Sequence, residues 1–221
     1  MLLEGKKLLP HEDFVYLADI KNAPYGNKTD AEISARVFDC SERLLKIGCK
    51  AIVIACNTAT NVGIKMLRER YNCPFVGLEP ALKPAMRATI EGTVVLLCTE
   101  ATARQEKFLT LCRKFGKENL LVAPQKDLAA LVEHNLCVLE KIRRPVYEIL
   151  MPIKAARAIV LGCTHYIFLK DIITDFYRAQ GQTIRFFDGN TGAINRLKSL
   201  LVQGGLLTSQ KTAGSVRVFF D

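Results

Sequence analysis

The segments Ala51-Ile52-Val53-Ile54-Ala55-Cys56-Asn57-Thr58 and Ala158-Ile159-Val160-Leu161-Gly162-Cys163-Thr164-His165 are two versions of one pattern. Each is a continuous apolar run that ends in a cysteine, followed by short hydrogen-bonding residues and a helical stretch. Runs of this kind read as strands buried on both faces, as in parallel sheets. The two cysteines stand 107 residues apart in a chain of 221. Agreement that includes the cysteine at the strand's end points to two similar α/β halves, each presenting one thiol.

The rest of the chain repeats the alternation. Strand-like runs fall at 13–18, 74–77, 93–98, 120–123 and 183–187, with 216–220 as a last one. Thr29-Asp30-Ala31-Glu32 is a capping box opening a helix that Gly48 ends. Further helical stretches are expected at 61–71, from Glu79-Pro80 onward, at 102–115, 125–134, 138–151 with an interruption at Pro145, 167–179 and 193–202. Repeated β-α-β units mean an α/β protein with parallel-rich sheets.

Composition narrows the function classes. With 49% hydrophobic and 24% charged residues the chain is globular, and no apolar run approaches the ~18 residues of a membrane span. The N-terminus is too charged for a signal peptide, so the expected location is a reducing cytoplasm with free thiols. There are eight cysteines but no C-x-x-C and only three histidines, which argues against a metal site. Cys40, Cys49, Cys73, Cys98, Cys112 and Cys137 are read as packing residues. His11 is read as a surface residue and His134 as a helix-end one. The net charge of +9 is dispersed, without the aromatic interleaving or motifs of a nucleic-acid binder. It is compatible with small anionic substrates.

Cys56 and Cys163 differ from the other six. The C-terminal ends of parallel strands line the ligand crevice of such sheets. A helix N-terminus there favours a thiolate and binds anions. Asn57, Thr58 and Thr164 add short polar contacts, and His165 is close enough to influence Cys163. Two thiols in a cleft between halves allow redox exchange, a cysteine hydrolase or proton transfer on both faces of a carbon. Redox exchange normally uses C-x-x-C, and a hydrolase accounts for one thiol only. Two-sided proton transfer, the requirement for inverting a stereocentre, accounts for both.

At this point Ala55-Cys56-Asn57-Thr58-Ala59 and Gly162-Cys163-Thr164-His165-Tyr166 resemble the two signature motifs of the glutamate racemases, within the aspartate/glutamate racemase superfamily. Ala23-Pro24-Tyr25-Gly26 resembles that family's substrate-contacting turn, and the similarity runs from Asp13 to about Leu201. Aspartate racemases typically carry Glu where this chain has His165, which favours the glutamate branch. The resemblance implies two pseudo-symmetric α/β domains with the active site in the cleft between them, the first from residues 1–82 plus 184–221 and the second from 83–183. It implies cofactor-independent interconversion of L- and D-glutamate for peptidoglycan synthesis. Cys56, Cys163, His165 and Glu133 are then the catalytic residues. Pro24, Tyr25, Gly26, Asn57, Thr58, Thr102 and Thr164 are the substrate-binding ones, and no metal is involved. The partners expected are glutamate and a second copy of the chain in a homodimer, in a bacterial cytoplasm. Two departures stand out. Ile167 replaces the usual Pro after the Thr-His-Tyr triplet, and no Asp-Ser-Gly-x-Gly-Gly strand motif precedes the first helix. A start placed downstream of the true one, or a shortened non-catalytic relative that binds an amino acid or a partner, both fit that second departure. A basic nucleic-acid-associated protein is a further alternative, from a different class.

Overall fold

Every strand pairing is parallel, the arrangement expected of the continuous apolar runs. The computed structural model describes residues 1–221. In chain order the elements are α1 (Leu2–Leu8), β1 (Phe14–Ala18), α2 (Asp30–Lys46), β2 (Ile52–Ile54), α3 (Asn57–Arg70), β3 (Phe75–Gly77), α4 (Leu82–Ala88), β4 (Thr93–Thr99), α5 (Glu100–Ala103), α6 (Glu106–Phe115), β5 (Leu120–Gln125), α7 (Leu128–His134), α8 (Arg143–Leu150), β6 (Ala156–Leu161), α9 (Lys170–Arg178), β7 (Arg185–Phe187), α10 (Asn190–Gln203) and β8 (Val216–Phe220). Two compact units result, Met1–Glu79 with Asn190–Asp221, and Pro80–Gly189. No helix is long and apolar enough to cross a membrane.

The second unit is built on a four-stranded sheet in the order β5-β4-β6-β7. Successive side chains of β4 point to opposite faces, so one apolar strand feeds two cores. Val95 and Leu97 join Ile159 and Leu161 of β6 under α7, α8 and α9. Val94, Leu96 and Cys98 join Ala158 and Val160 under α4 and α6. This two-sided burial is why neither strand alternates polar with apolar residues.

The first unit contains two separate two-stranded sheets, β1-β8 and β2-β3. The register runs from Phe14 opposite Val216 to Ala18 opposite Phe220, so the C-terminal run 216–220 forms a full strand. β1 and β2 do not pair with each other. Phe14 and Tyr16 of β1, Ile52 and Val53 of β2 and Ile194 and Leu197 of α10 line an open groove of about 160 Å³. Just before these two strands, Glu12 and Lys50 form an ion pair at 2.7 Å that holds their N-terminal ends together. On the other side, Ile33 and Val37 of α2 pack with Ile64 and Leu67 of α3 against Ile52 and Phe75.

Several boundaries differ from the sequence expectation, each for a local reason. The capping box is present: Glu32 N–H donates to Thr29 Oγ1 at 3.3 Å and Thr29 N–H to Glu32 Oε2 at 2.8 Å. Gly48, at φ +90°, follows the end of α2 in the left-handed conformation that glycine adopts without strain. α3 starts at Asn57 rather than Asn61, because Cys56 itself is the extended residue that caps it. α4 starts at Leu82, not at Glu79-Pro80, and Pro84 lies in its first turn. Pro145 does not interrupt a helix; it lies in the first turn of α8, where its missing N–H has no intrahelical partner to lose. The stretch 102–115 divides because Gln105 is extended and caps α6. Cys137 is exposed, which corrects its assignment as a packing residue; Cys98 is buried and Cys40, Cys49, Cys73 and Cys112 are half-buried.

Candidate active site

The first unit brings Cys56, Asn57, Thr58, Pro24, Tyr25 and Gly26 into one neighbourhood. β2 ends at Ile54, and Cys56 (φ −145°, ψ 127°) is the last extended residue before α3. Thr60 fixes this junction: its hydroxyl donates to Ile54 O at 3.3 Å and accepts from Leu78 N–H at 2.9 Å. Asn57 and Thr58 are therefore carried into the interior, at 2% and 3% exposure. The Asn57 amide oxygen is buried with no hydrogen-bond partner. Buried polar atoms are nearly always paired, so an acceptor left open at a helix N-terminus suits a bound ligand.

The Cys56 thiol corrects one expectation. Burial pushes its pKa up; the N–H groups of Ala59 and Thr58 and the Thr58 hydroxyl oppose that shift. Burial wins, so the resting group is the thiol despite the helix N-terminus.

Tyr25 lies in the turn that follows β1, after a cis Ala23–Pro24 peptide. Its ring packs into the α2–α3 core together with Cys56. Its hydroxyl donates to Asp19 Oδ2 at 2.5 Å. Burial, then the bond to the Asp19 carboxylate, hold the phenol strongly in its neutral form. Gly26 is buried beside it.

The second unit brings Cys163, His165 and Glu133 together. Gly162 N–H donates to Leu97 O at 2.7 Å, and a Cβ on Gly162 would stand 2.7 Å from the same oxygen. Only glycine allows this approach of β6 to β4, and it sets where Cys163 emerges. Cys163 (φ −140°, ψ 139°) is 7% exposed. Its Sγ lies 3.7 Å from His165 Nδ1, and His165 Nε2 lies 2.7 Å from Glu133 Oε2 on α7. Thiol, imidazole and carboxylate thus form a chain in the order nucleophile or base, relay and orienter. Thr164 is half-buried in the turn that follows. Thr102 is fully buried on α5; its hydroxyl accepts from Thr99 Oγ1 at 3.0 Å, and its N–H donates to the same atom at 3.1 Å.

Sequence reasoning did not single out Asp19 and Arg36, which hold Tyr25, nor Tyr166, whose buried hydroxyl has no partner. A signal for Asp19 was available: it directly follows a strand, where parallel-sheet sites gather.

Comparison with known proteins gives a consistent result. Residues 4–197 match the model of a family described as Asp/Glu/hydantoin racemase. A glutamate racemase of Clostridium perfringens is 39% identical over 223 residues, covering 99% of this chain and 85% of that protein. The crystal structure of Escherichia coli glutamate racemase, solved with L-glutamate and an activator, superposes with a TM-score of 0.81 at 28% identity, covering 98% of this chain and 82% of that one. A glutamate racemase isoform from Bacillus anthracis gives a TM-score of 0.80 at 26% identity, covering 99% and 82%.

Proposed function

The chain belongs to the Asp/Glu/hydantoin racemase family, and from that premise we propose that it interconverts L-glutamate and D-glutamate by proton transfer between the thiols of Cys56 and Cys163. The observation that carries this is the repeated arrangement itself. In each unit a parallel strand ends, an extended cysteine follows, and a helical turn begins directly after it.

In this mechanism one sulfur, as thiolate, removes the α-proton from one face of the substrate carbon. The other, as thiol, delivers a proton to the opposite face. The reverse reaction exchanges the roles, so no external acid, base or cofactor enters the balance. His165 takes up or returns the Cys163 proton, oriented by Glu133. The open Asn57 amide oxygen accepts from the substrate ammonium. Thr58, Thr102, Thr164 and the Pro24-Tyr25-Gly26 turn contact the remaining polar groups. The resemblance supports two further parts of the proposal: work in a bacterial cytoplasm, supplying D-glutamate for peptidoglycan, and assembly as a homodimer.

Circular dichroism of L-glutamate incubated with the purified protein tests the reaction. Decay of the signal to zero is the expected result, with solvent deuterium appearing at the α-carbon by proton NMR. An unchanged signal together with no deuterium incorporation overturns the proposal. Light scattering on a sizing column tests the dimer.

A further inference from the structure

The carboxylate of Asp19 is the most densely bonded side chain next to the substrate turn. Its side chain is 10% exposed and stands at the C-terminal end of β1. It accepts from Asn22 Nδ2 at 2.7 Å, Tyr25 OH at 2.5 Å, Arg36 Nε at 3.1 Å and Arg36 Nη2 at 3.0 Å. Arg36 therefore grips it with two parallel bonds, the geometry that a planar guanidinium offers and an ammonium does not.

Arg36 is itself fixed by further carboxylates, one beyond β8 and one on its own helix. Its Nη2 bonds to the Asp221 carboxylate, and its Nη1 lies 3.3 Å from Asp39 on α2. Asp221 accepts from Arg43 at 2.7 Å and, through its own backbone N–H, bonds to Ala18 O at 3.0 Å. The guanidinium thus ties α2, the end of β1 and the residue after β8 to one carboxylate, which in turn holds the phenol of Tyr25. Tyr25 and Cys56 pack against the same α2–α3 core. Removing Arg36 leaves Asp19 a largely buried charge without its counter-ion, which must turn to solvent or take up a proton. The first change releases the Tyr25 hydroxyl, and the second replaces its charged acceptor with a weaker neutral one.

We propose that the Asp19–Arg36 pair is the positioning unit of the substrate-binding turn: it fixes Tyr25 by its hydroxyl so that the Tyr25-Gly26 backbone is held in one orientation beside Cys56. The pair touches no reacting atom. It acts through Tyr25, and its effect is on substrate binding rather than on proton transfer. This rests on the assignment of the 24–26 turn to substrate contact made above.

The test compares the wild type with Arg36→Met, Arg36→Lys and Tyr25→Phe. Arg36→Met is expected to raise KM for glutamate at least about tenfold, with kcat within about threefold, and Arg36→Lys to fall between it and the wild type. Arg36→Met combined with Tyr25→Phe is expected to raise KM no further than Arg36→Met alone, because both act on one bond. An equal loss of kcat with unchanged KM, or full additivity in the double variant, overturns the proposal. A second readout does not depend on turnover. With tyrosine carrying ¹³C at Cζ, the Tyr25 resonance, identified by its loss in Tyr25→Phe, is expected to shift in Arg36→Met and in Asp19→Asn. An unmoved resonance overturns the positioning role. If the wild type racemises no glutamate but the resonance moves, it is the substrate assignment that fails. If Arg36→Met does not fold, Arg36→Lys and Asp19→Asn carry both readouts.

Discussion

Glu133 Oε2 lies 2.7 Å from Nε2 of His165, and the other nitrogen of that ring faces the Cys163 sulfur. A carboxylate only accepts, so a neutral imidazole must carry its hydrogen on Nε2 and keep the Nδ1 lone pair toward the thiol. Glu133 thereby selects the tautomer that can take a proton from Cys163. Glu133→Gln places an amide that can donate to Nε2 and favours the opposite tautomer. We expect kcat to fall about 10²-fold with little change in KM, measured by circular dichroism of glutamate. A variant with wild-type kcat removes Glu133 from the mechanism.

Cys56→Ser and Cys163→Ser are expected to lower racemisation at least about 10³-fold each, since a serine hydroxyl is a far poorer acid and base than a thiol at neutral pH. Far-UV circular dichroism should show both variants folded. Turnover near that of the wild type in either one contradicts a two-thiol mechanism.

The unpartnered Asn57 oxygen separates binding from stability. Asn57→Leu removes a buried acceptor that the free protein does not satisfy, so the melting temperature should stay level or rise. KM should rise at least about tenfold, the cost of about 1.4 kcal/mol of lost substrate interaction. Destabilisation with unchanged KM would mean that the amide serves the fold instead.

Gly162→Ala forces a Cβ to within 2.7 Å of Leu97 O and 3.1 Å of Cys98 Cβ. Both neighbours belong to the central strand β4 and cannot yield freely. Chemical denaturation should show a loss of about 1–3 kcal/mol, the usual range for overpacking. Activity should fall more than unfolding explains, because Cys163 is displaced with the strand end. In the first unit the residue before the thiol is the exposed Ala55, where no such crowding is expected.

Asp19 also makes a pH prediction. Burial raises its pKa, but the bonds from Arg36, Asn22 and Tyr25 outweigh that and hold it below the ordinary aspartate value. A depressed carboxylate stabilises the fold above its unfolded pKa, near 3.9, and loses that contribution as pH falls through the lower folded value. The melting-temperature gap between wild type and Asp19→Asn should be full at pH 7 and close below about pH 4. A gap that persists unchanged at about pH 2 would show that the Asp19 charge does not contribute.

What the sequence reveals of the site is what is local. The strand, the cysteine and the helix that follows are contiguous, so both thiols could be placed from residue order alone. The cap of α2 is equally local. The Asp19–Arg36 pair is not: its members lie on different elements, and Asp221 is brought to Arg36 only by the pairing of β8 with β1. The raised pKa of Cys56 escaped for a related reason. Helix-terminus effects can be read from order, whereas burial depends on everything that packs around the residue. One proline misled. Pro145 was expected to interrupt a helix, and it sits within the first turn of α8, where the backbone loses nothing.

The groove beside β1 and β2 gives the first unit an uneven resistance to opening. β6, which leads to Cys163, is hydrogen-bonded along both edges, to β4 and β7, whereas β1 and β2 each have a single strand neighbour. Their amide protons on the unpaired side have no ladder to protect them and exchange with solvent without any unfolding of the core. Those of β6 must wait for the second unit to open. The two thiols, alike in sequence setting, are therefore mounted on supports of unequal stiffness, with Cys56 carried by the more yielding one.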